Sequence, residues 1–152
     1  MDKKICLVSS HGGHFKELLN AIGEAKTTFA DYYWVTHRTS NTQEKLSNIR
    51  HYFVIDPVTS KLKFMLNLLQ SFWIILRERP QVIISTGAGI AIFTILLGKF
   101  LLKAKVIYIE SAANVTSPSK TGKFIYRYSD LFLIQWEDLF QYYPKAKYVG
   151  LL

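Results

Sequence analysis

The sequence predicts an α/β protein with a mostly parallel β-sheet and helices on both faces. Short, uninterrupted apolar runs recur along the chain, and such runs are typical of strands that are buried on both faces. Segments with helical spacing separate these runs, and this alternation is the pattern of consecutive βαβ units. With 152 residues, the chain is expected to form one domain spanning residues 1–152.

The first half of the chain is expected to open with a strand, a helix and two further strands. The apolar run at residues 5–9 predicts a buried strand, and residues 17–25 have helical spacing. Residues 32–36 and 51–55 are rich in β-branched and aromatic side chains, which favours strands. The polar stretch between them, residues 37–48, is expected to hold a short helix or a loop.

The second half continues the same alternation. Residues 58–78 predict a helix that ends before Pro80, and its apolar residues cover most of the circumference, so it is expected to need two apolar contacts. Further strands are predicted at residues 82–85, 106–110, 131–135 and 148–151, with helices at residues 90–102 and 121–128.

Composition narrows the class of partner. The net charge of +8 favours an anionic partner: a phosphorylated substrate, an acidic membrane face or nucleic acid. Nucleic acid is disfavoured, because the basic residues do not gather with aromatic residues into a recognisable reading motif. Cys6 lies within an apolar run and is expected in the core, which suits a reducing cytosol. The first residues carry no leader pattern, so a cytoplasmic location is expected.

One stretch, residues 82–102, is apolar enough to raise the alternative of a transmembrane helix. Gly87 and Gly89 divide it into a short β-like piece and a helix of about four turns, whereas spanning needs roughly 20 continuous apolar residues. A buried strand followed by a helix is therefore the favoured interpretation.

Two glycine-rich segments are predicted to lie at the carboxyl edge of the sheet, where ligands bind in this class of fold. Each follows a strand and precedes a helix, so its backbone N–H groups suit a phosphate group. The alternative is that the glycines serve only tight turns. The segments are Ser9, Ser10, His11, Gly12, Gly13 and His14, and Ser85, Thr86, Gly87, Ala88 and Gly89.

Neither segment has the spacing of a P-loop, which argues against direct hydrolysis of a nucleoside triphosphate. A dinucleotide site is a closer alternative, because Gly87 and Gly89 begin the right pattern and Glu110 follows about 20 residues later. Ile92 occupies the third glycine position, which weakens that NAD-type oxidoreductase reading.

A third loop begins at Glu110 and includes Ser111 and Asn114 as candidate binding residues. His14 and Glu110 are the candidates for a general base that removes a proton from a substrate hydroxyl. The alternatives are that His14 caps its helix and that Glu110 only receives backbone donors. No histidine or carboxylate spacing indicates a metal site, and no cofactor is expected.

Five segments in order resemble a known family. They are residues 9–18 (SSHGGHFKEL), 85–89 (STGAG), 109–111 (IES), 135–136 (QW) and 143–150 (YPKAKYVG). They are similar to the acceptor-side subunit of the split UDP-N-acetylglucosamine transferase of dolichol-linked glycan synthesis. They resemble still more closely its bacterial relatives in capsule and exopolysaccharide clusters.

The resemblance implies the N-terminal, acceptor-binding half of a GT-B glycosyltransferase, a Rossmann-like fold, with a separately encoded partner that binds the UDP-sugar. It implies an inverting hexosyltransferase that is active only with that partner, and it puts the diphosphate of a polyprenyl-linked sugar near residues 10–14 and 87–89. Peripheral attachment to the inner face of the cell membrane is expected through apolar faces and Lys61, Lys63, Lys99, Lys103 and Lys105. The alternative from another class is a non-catalytic scaffold of the transferase.

Overall fold

The computed structural model describes residues 3–152, apart from the side chain of Glu24. In this part of the chain, seven strands form one fully parallel sheet in the order β3-β2-β1-β4-β5-β6-β7. The strands are β1 (Lys4–Ser9), β2 (Asp31–Thr36), β3 (His51–Phe53), β4 (Val82–Gly87), β5 (Lys105–Ile109), β6 (Leu131–Ile134) and β7 (Lys147–Tyr148).

Helices cover both faces of the sheet, as the sequence predicts for a Rossmann-like fold. On one face, α1 packs Phe15, Leu18 and Ile22 against strand residues such as Leu7 and Trp34. On the other face, α3, α4 and α5 pack against the alternate residues of the same strands. The helices are α1 (Gly13–Ile22), α2 (Ser40–Lys45), α3 (Lys61–Glu78), α4 (Ala91–Leu102) and α5 (Lys120–Ile125).

The predicted elements are all found, with shifted ends. The first helix begins at Gly13 rather than at residue 17, so His14 lies in its first turn. The fourth strand continues through Gly87, two residues beyond the predicted end, because its small side chains fit the buried sheet. The stretch at residues 82–102 is a strand followed by a helix, as favoured above, and among residues 3–152 no helix is long and apolar enough to cross a bilayer.

Among the described residues, the structure supplies only one of the two contacts expected for α3. Its inner face carries Asn67, Ser71 and Glu78 beside Ile74 and Ile75, all buried. The opposite face is an exposed apolar stripe at helical spacing, because α3 packs on α4 and the segment before it without any described element covering its outer side. The α3 stripe comprises Leu62, Met65, Leu66, Leu69, Phe72, Trp73 and Leu76.

Candidate functional site

The strand order changes direction between β1 and β4, and both glycine-rich segments lie at this point. From β1 the chain first adds β2 and β3 on one side, then returns to add β4 on the other side. A crevice forms at the carboxyl edge where such a change occurs, and ligands of doubly wound sheets bind there. The pairing of β1 with β4 shifts register between Val8 and Ser9, so that Ser9 pairs with Gly87 and Thr86 is the extra residue at this edge.

The first segment is open at the start of α1. Gly12 has φ +74°, a conformation that side-chain-bearing residues rarely adopt, and a Cβ built on Gly12 or Gly13 meets nothing within 4 Å. No side chain caps the helix, and no described residue accepts a hydrogen bond from the N–H groups of Gly13, His14 or Phe15. This helix start therefore presents free donors and the positive end of its dipole to a ligand.

The second segment is closed by comparison. The Ser85 and Thr86 side chains are fully buried: Ser85 Oγ accepts from the Gly87 N–H at 3.0 Å, and Thr86 Oγ1 donates to the His14 carbonyl at 2.7 Å. A Cβ on Gly87 would overlap the Tyr108 hydroxyl. Ser85 and Thr86 thus hold the edge together, while Ala88 and Gly89 remain partly exposed between strand and helix.

Glu110, immediately after β5, is fully buried and surrounded by donors. Its Oε1 accepts from the Ser111 N–H at 3.1 Å and from Asn114 Nδ2 at 3.4 Å. Its Oε2 accepts from the Ser119 N–H at 3.3 Å and from the Tyr143 hydroxyl at 2.6 Å. The alternative in which Glu110 receives donors from the following loop is therefore the one that this geometry favours.

The same enclosure bears on the dinucleotide alternative. Burial, and then the hydrogen bond to Glu110, raises the pKa of the Tyr143 phenol above its usual range, so Tyr143 stays protonated as a donor to the carboxylate. A ribose ligand would have to displace Tyr143 and the Ser119 N–H from Glu110. The geometry thus gives no support to the NAD-type reading.

His14 and Glu17 lie next to each other on one side of α1. His14 Nδ1 lies 3.9 Å from Glu17 Oε2, and within the described chain neither atom has a hydrogen-bond partner. The other oxygen of Glu17 accepts from the Ala112 N–H at 2.6 Å and from Gln135 Nε2 at 2.7 Å. Glu17 therefore links the His14 turn of α1 to the third loop and to the end of β6.

Gln135 and Trp136 complete the connection between these loops. Gln135 Nε2 also donates to the Glu110 carbonyl at 3.0 Å, and Trp136 Nε1 donates to the Ala112 carbonyl at 2.7 Å. The loop after β5 is thus fixed from both sides of the sheet edge.

The structure sorts the candidate residues into three groups. Ser10, His11, Gly12 and Gly13 are accessible, and the His14 ring is partly exposed. The buried candidates are Ser9, Ser85, Thr86, Gly87, Glu110 and Ser111. The partly exposed candidates are Ala88, Gly89 and Asn114. Sequence reasoning did not assign Glu17 to the site, although its position three residues after His14 puts both on one helix face.

Comparison with known proteins agrees with the resemblance carried by the five segments. Residues 54–152 match the family described as "Oligosaccharide biosynthesis protein Alg14 like". The UDP-N-acetylglucosamine transferase subunit ALG14 of Homo sapiens is 26% identical over 178 residues, covering 96% of this chain and 81% of that protein. The corresponding subunit of Schizosaccharomyces pombe is 44% identical over 77 residues, covering 48% of this chain and 37% of that protein.

Solved structures with the same fold include MurG of Acinetobacter baumannii, with a TM-score of 0.77 at 15% identity. A UDP-N-acetylglucosamine 2-epimerase of Rickettsia bellii has a TM-score of 0.74 at 13% identity. The matches cover 98% and 99% of this chain but only 45% of each of those chains. The fold is thus the Rossmann-like N-terminal half of a GT-B protein. Because residues 54–152 match the family, the chain belongs to the Alg14-like family of oligosaccharide biosynthesis proteins.

Proposed function

We propose that this chain is the acceptor-side subunit of a UDP-N-acetylglucosamine-dependent glycosyltransferase, and that it binds a sugar linked to a polyprenyl diphosphate. The observation that carries the proposal is the open, uncapped start of α1 at Gly12 and Gly13, beside His14. Free N–H donors at a helix start attract a diphosphate without needing a metal ion. Membership of the Alg14-like family supports the class of reaction.

A separate donor-binding chain would complete the active site. The GT-B structures that share this fold are more than twice as long as the part that this chain matches. In the assembled enzyme, this chain would hold the acceptor and the partner would hold the UDP-sugar. A pathway for capsule or exopolysaccharide synthesis is the setting that the bacterial resemblance suggests.

His14 is the residue we assign as general base, and Glu110 is assigned a supporting role in the third loop. The His14 ring keeps 31% of its side-chain surface exposed at the open helix start. Glu110 lies fully buried with donors to both oxygens, so it has no lone pair facing an acceptor hydroxyl. Histidine is the side chain most often used for general acid–base catalysis.

The α3 stripe is proposed as the membrane contact. Its exposed leucines, Phe72 and Trp73 form one continuous apolar face, and Lys61 and Lys63 lie at its amino end. From residue 57 to residue 77 the sequence has no acidic residue, so the face is complementary to an anionic lipid surface. Lys99 and Lys105 contribute less, because both pair with Asp130.

Reconstitution tests the two-chain proposal. Chain, donor-binding subunit, UDP-N-acetylglucosamine and a polyprenyl diphosphate-linked sugar should give transfer together, and no transfer when either protein is omitted. Robust turnover by this chain alone would contradict it. In the complex, His14→Ala should lower kcat by at least about 100-fold, as expected for loss of a general base. Unchanged turnover with intact assembly would favour the scaffold alternative.

Vesicle sedimentation tests the membrane contact. Leu69→Asp puts a charge in the middle of the α3 stripe and should abolish binding to vesicles of phosphatidylglycerol and phosphatidylethanolamine. Phe140→Asp changes another exposed apolar residue outside the stripe and should leave binding unchanged. Equal effects of the two variants would contradict a membrane role for α3.

A further inference from the structure

His14 and Glu17, one helical turn apart in α1, have two buried and unpaired polar atoms that face each other. His14 Nδ1 and Glu17 Oε2 are both buried without a hydrogen-bond partner in the described chain, and they lie 3.9 Å apart. A buried polar atom without a partner is costly, and two such atoms at this separation need only a small side-chain movement to form a hydrogen bond. This arrangement requires an explanation beyond helix packing.

Glu17 is fixed in place by its other oxygen. The Ala112 N–H and Gln135 Nε2 both donate to Oε1, at 2.6 and 2.7 Å. These donors come from the loop after β5 and from the end of β6, so the carboxylate is held from outside its own helix. Oε2 remains as an acceptor directed to the imidazole.

We infer that Glu17 is a positioning residue that holds neutral His14 in the tautomer with the proton on Nδ1, which leaves Nε2 as the proton acceptor. A carboxylate only accepts hydrogen bonds, so the ring atom that faces it must carry a proton. Because Nδ1 is buried and faces Glu17 while part of the side chain is exposed, Nε2 is the ring nitrogen left to accept a proton. The role of Nε2 in taking a proton from the acceptor rests on the proposed function, whereas the tautomer of His14 does not.

In the proposed transfer, the proton of the acceptor hydroxyl and the electron pair of the leaving group each have a defined destination. The acceptor hydroxyl gives its proton to His14 Nε2 while its oxygen forms a bond to the anomeric carbon of the donor sugar. The bond between that carbon and the UDP oxygen breaks, and UDP leaves with the electron pair. The resulting imidazolium would be stabilised by the Glu17 carboxylate at Nδ1.

Glu17→Gln is the decisive variant, because it keeps the size of the side chain and replaces one carboxylate oxygen, an acceptor, by an NH₂ group, a donor. The glutamine oxygen can still accept from the Ala112 N–H and from Gln135. Its NH₂ group then faces His14 Nδ1 and donates to it, which favours the tautomer with the proton on Nε2. The variant thus keeps the contact between residue 17 and His14 Nδ1, but it puts a proton on Nε2, which can then no longer act as the base.

Nitrogen-15 NMR of the isolated chain at alkaline pH reads the tautomers directly, with the His14 signals assigned by their loss in His14→Gln. We expect the Nδ1-protonated form of His14 in the native chain and the Nε2-protonated form in Glu17→Gln. His51 is an internal control, because its Nδ1 lies 2.8 Å from the Ile49 carbonyl and should stay protonated in both proteins. An Nε2-protonated His14 in the native chain, or no change in Glu17→Gln, would overturn the inference.

Kinetics of the reconstituted complex separates this inference from the proposed function. Glu17→Gln should lower kcat by about 10- to 100-fold with little change in the KM for the acceptor, because binding at the helix start is retained. The expected tautomers with an unchanged kcat would support the positioning role of Glu17 and contradict the assignment of His14 as the base.

Discussion

Thr86 Oγ1 donates a 2.7 Å hydrogen bond to the carbonyl of His14, 72 residues earlier in the chain. This contact joins the end of β4 to the first turn of α1 and fixes the spacing of the two glycine-rich segments. Because Thr86 is fully buried, its hydroxyl holds the His14 turn of α1 in position.

Thr86→Val should lower the free energy of unfolding by about 1 kcal/mol, the usual cost of losing one buried hydrogen bond. It should also weaken acceptor binding, because α1 loses its attachment at the site. Thr94→Val removes another buried hydroxyl contact, to Ser71, and is the matched control. Chemical denaturation should give similar losses for both variants, with reduced acceptor affinity in Thr86→Val alone. Equal acceptor affinities would show that the Thr86 contact does not position the site.

Glu110→Gln should lower the free energy of unfolding by about 3 kcal/mol, since hydrogen bonds to a buried charged group are expensive to break. Each oxygen of Glu110 faces two donors, so the new amide NH₂ must face donors whichever way it turns. The same change at exposed Glu137 should be nearly neutral. If thermal unfolding showed equal stability for the two variants, Glu110 would not be the anchor of the third loop.

Acid should remove the contribution of Asp130 to stability. Partial burial raises the pKa of Asp130, but hydrogen bonds from Lys99, the Val106 N–H and Lys105 outweigh it and lower the pKa to about 2. A carboxyl with a lowered folded pKa stabilises the fold above its unfolded pKa, and this contribution is lost as pH falls through the folded value.

Asp130→Asn should therefore be less stable than the native chain by about 1 kcal/mol above pH 5, a value typical of partly exposed ion pairs. The difference should shrink between pH 4 and pH 2. Unfolding measured across this range provides the comparison. A difference that stays constant down to pH 2 would argue against the ion pairs as its cause.

Cys6 should resist alkylation in the folded protein. Its burial raises the pKa of the thiol to about 12, so very little thiolate exists at pH 8. Labelling by iodoacetamide should be at least about 1000-fold slower than in urea, because it must wait for opening of the fold. Labelling at the unfolded rate without denaturant would place Cys6 outside the core.

Much of the fold could be predicted because its signals are local. Continuous apolar runs such as residues 5–9 and 82–85 indicate buried strands regardless of context, and Pro80 ends a helix by its own geometry. The orientation of α3 could not be predicted in this way. Apolar residues around most of a helix look the same whether they face a core or remain exposed, so the α3 stripe required the tertiary arrangement.

The candidate site was only partly predictable, for the same reason. Gly12, Gly13 and His14 follow a strand and begin a helix, so their role at the sheet edge has a sequence signature. The enclosure of Glu110 depends on Tyr143, which lies 33 residues away along the chain. The anchoring of Glu17 by Gln135 spans 118 residues. Contacts over such separations leave no local pattern that a single sequence can reveal.

The central claim is that the start of α1 binds the diphosphate of a lipid-linked acceptor. Gly13→Asp tests it sharply, because an acidic residue is favourable in the first turn of a helix and nothing lies within 4 Å of a Cβ at this position. Ser47→Asp puts the same charge on an exposed residue between α2 and the amino end of β3, and is the control.

Calorimetric titration with farnesyl diphosphate-linked N-acetylglucosamine provides the measurement. The native chain and Ser47→Asp should bind this soluble acceptor with equal affinity, and Gly13→Asp should bind at least about ten-fold more weakly, a loss of about 1.4 kcal/mol. Binding of equal strength by Gly13→Asp and the native chain would contradict the claim.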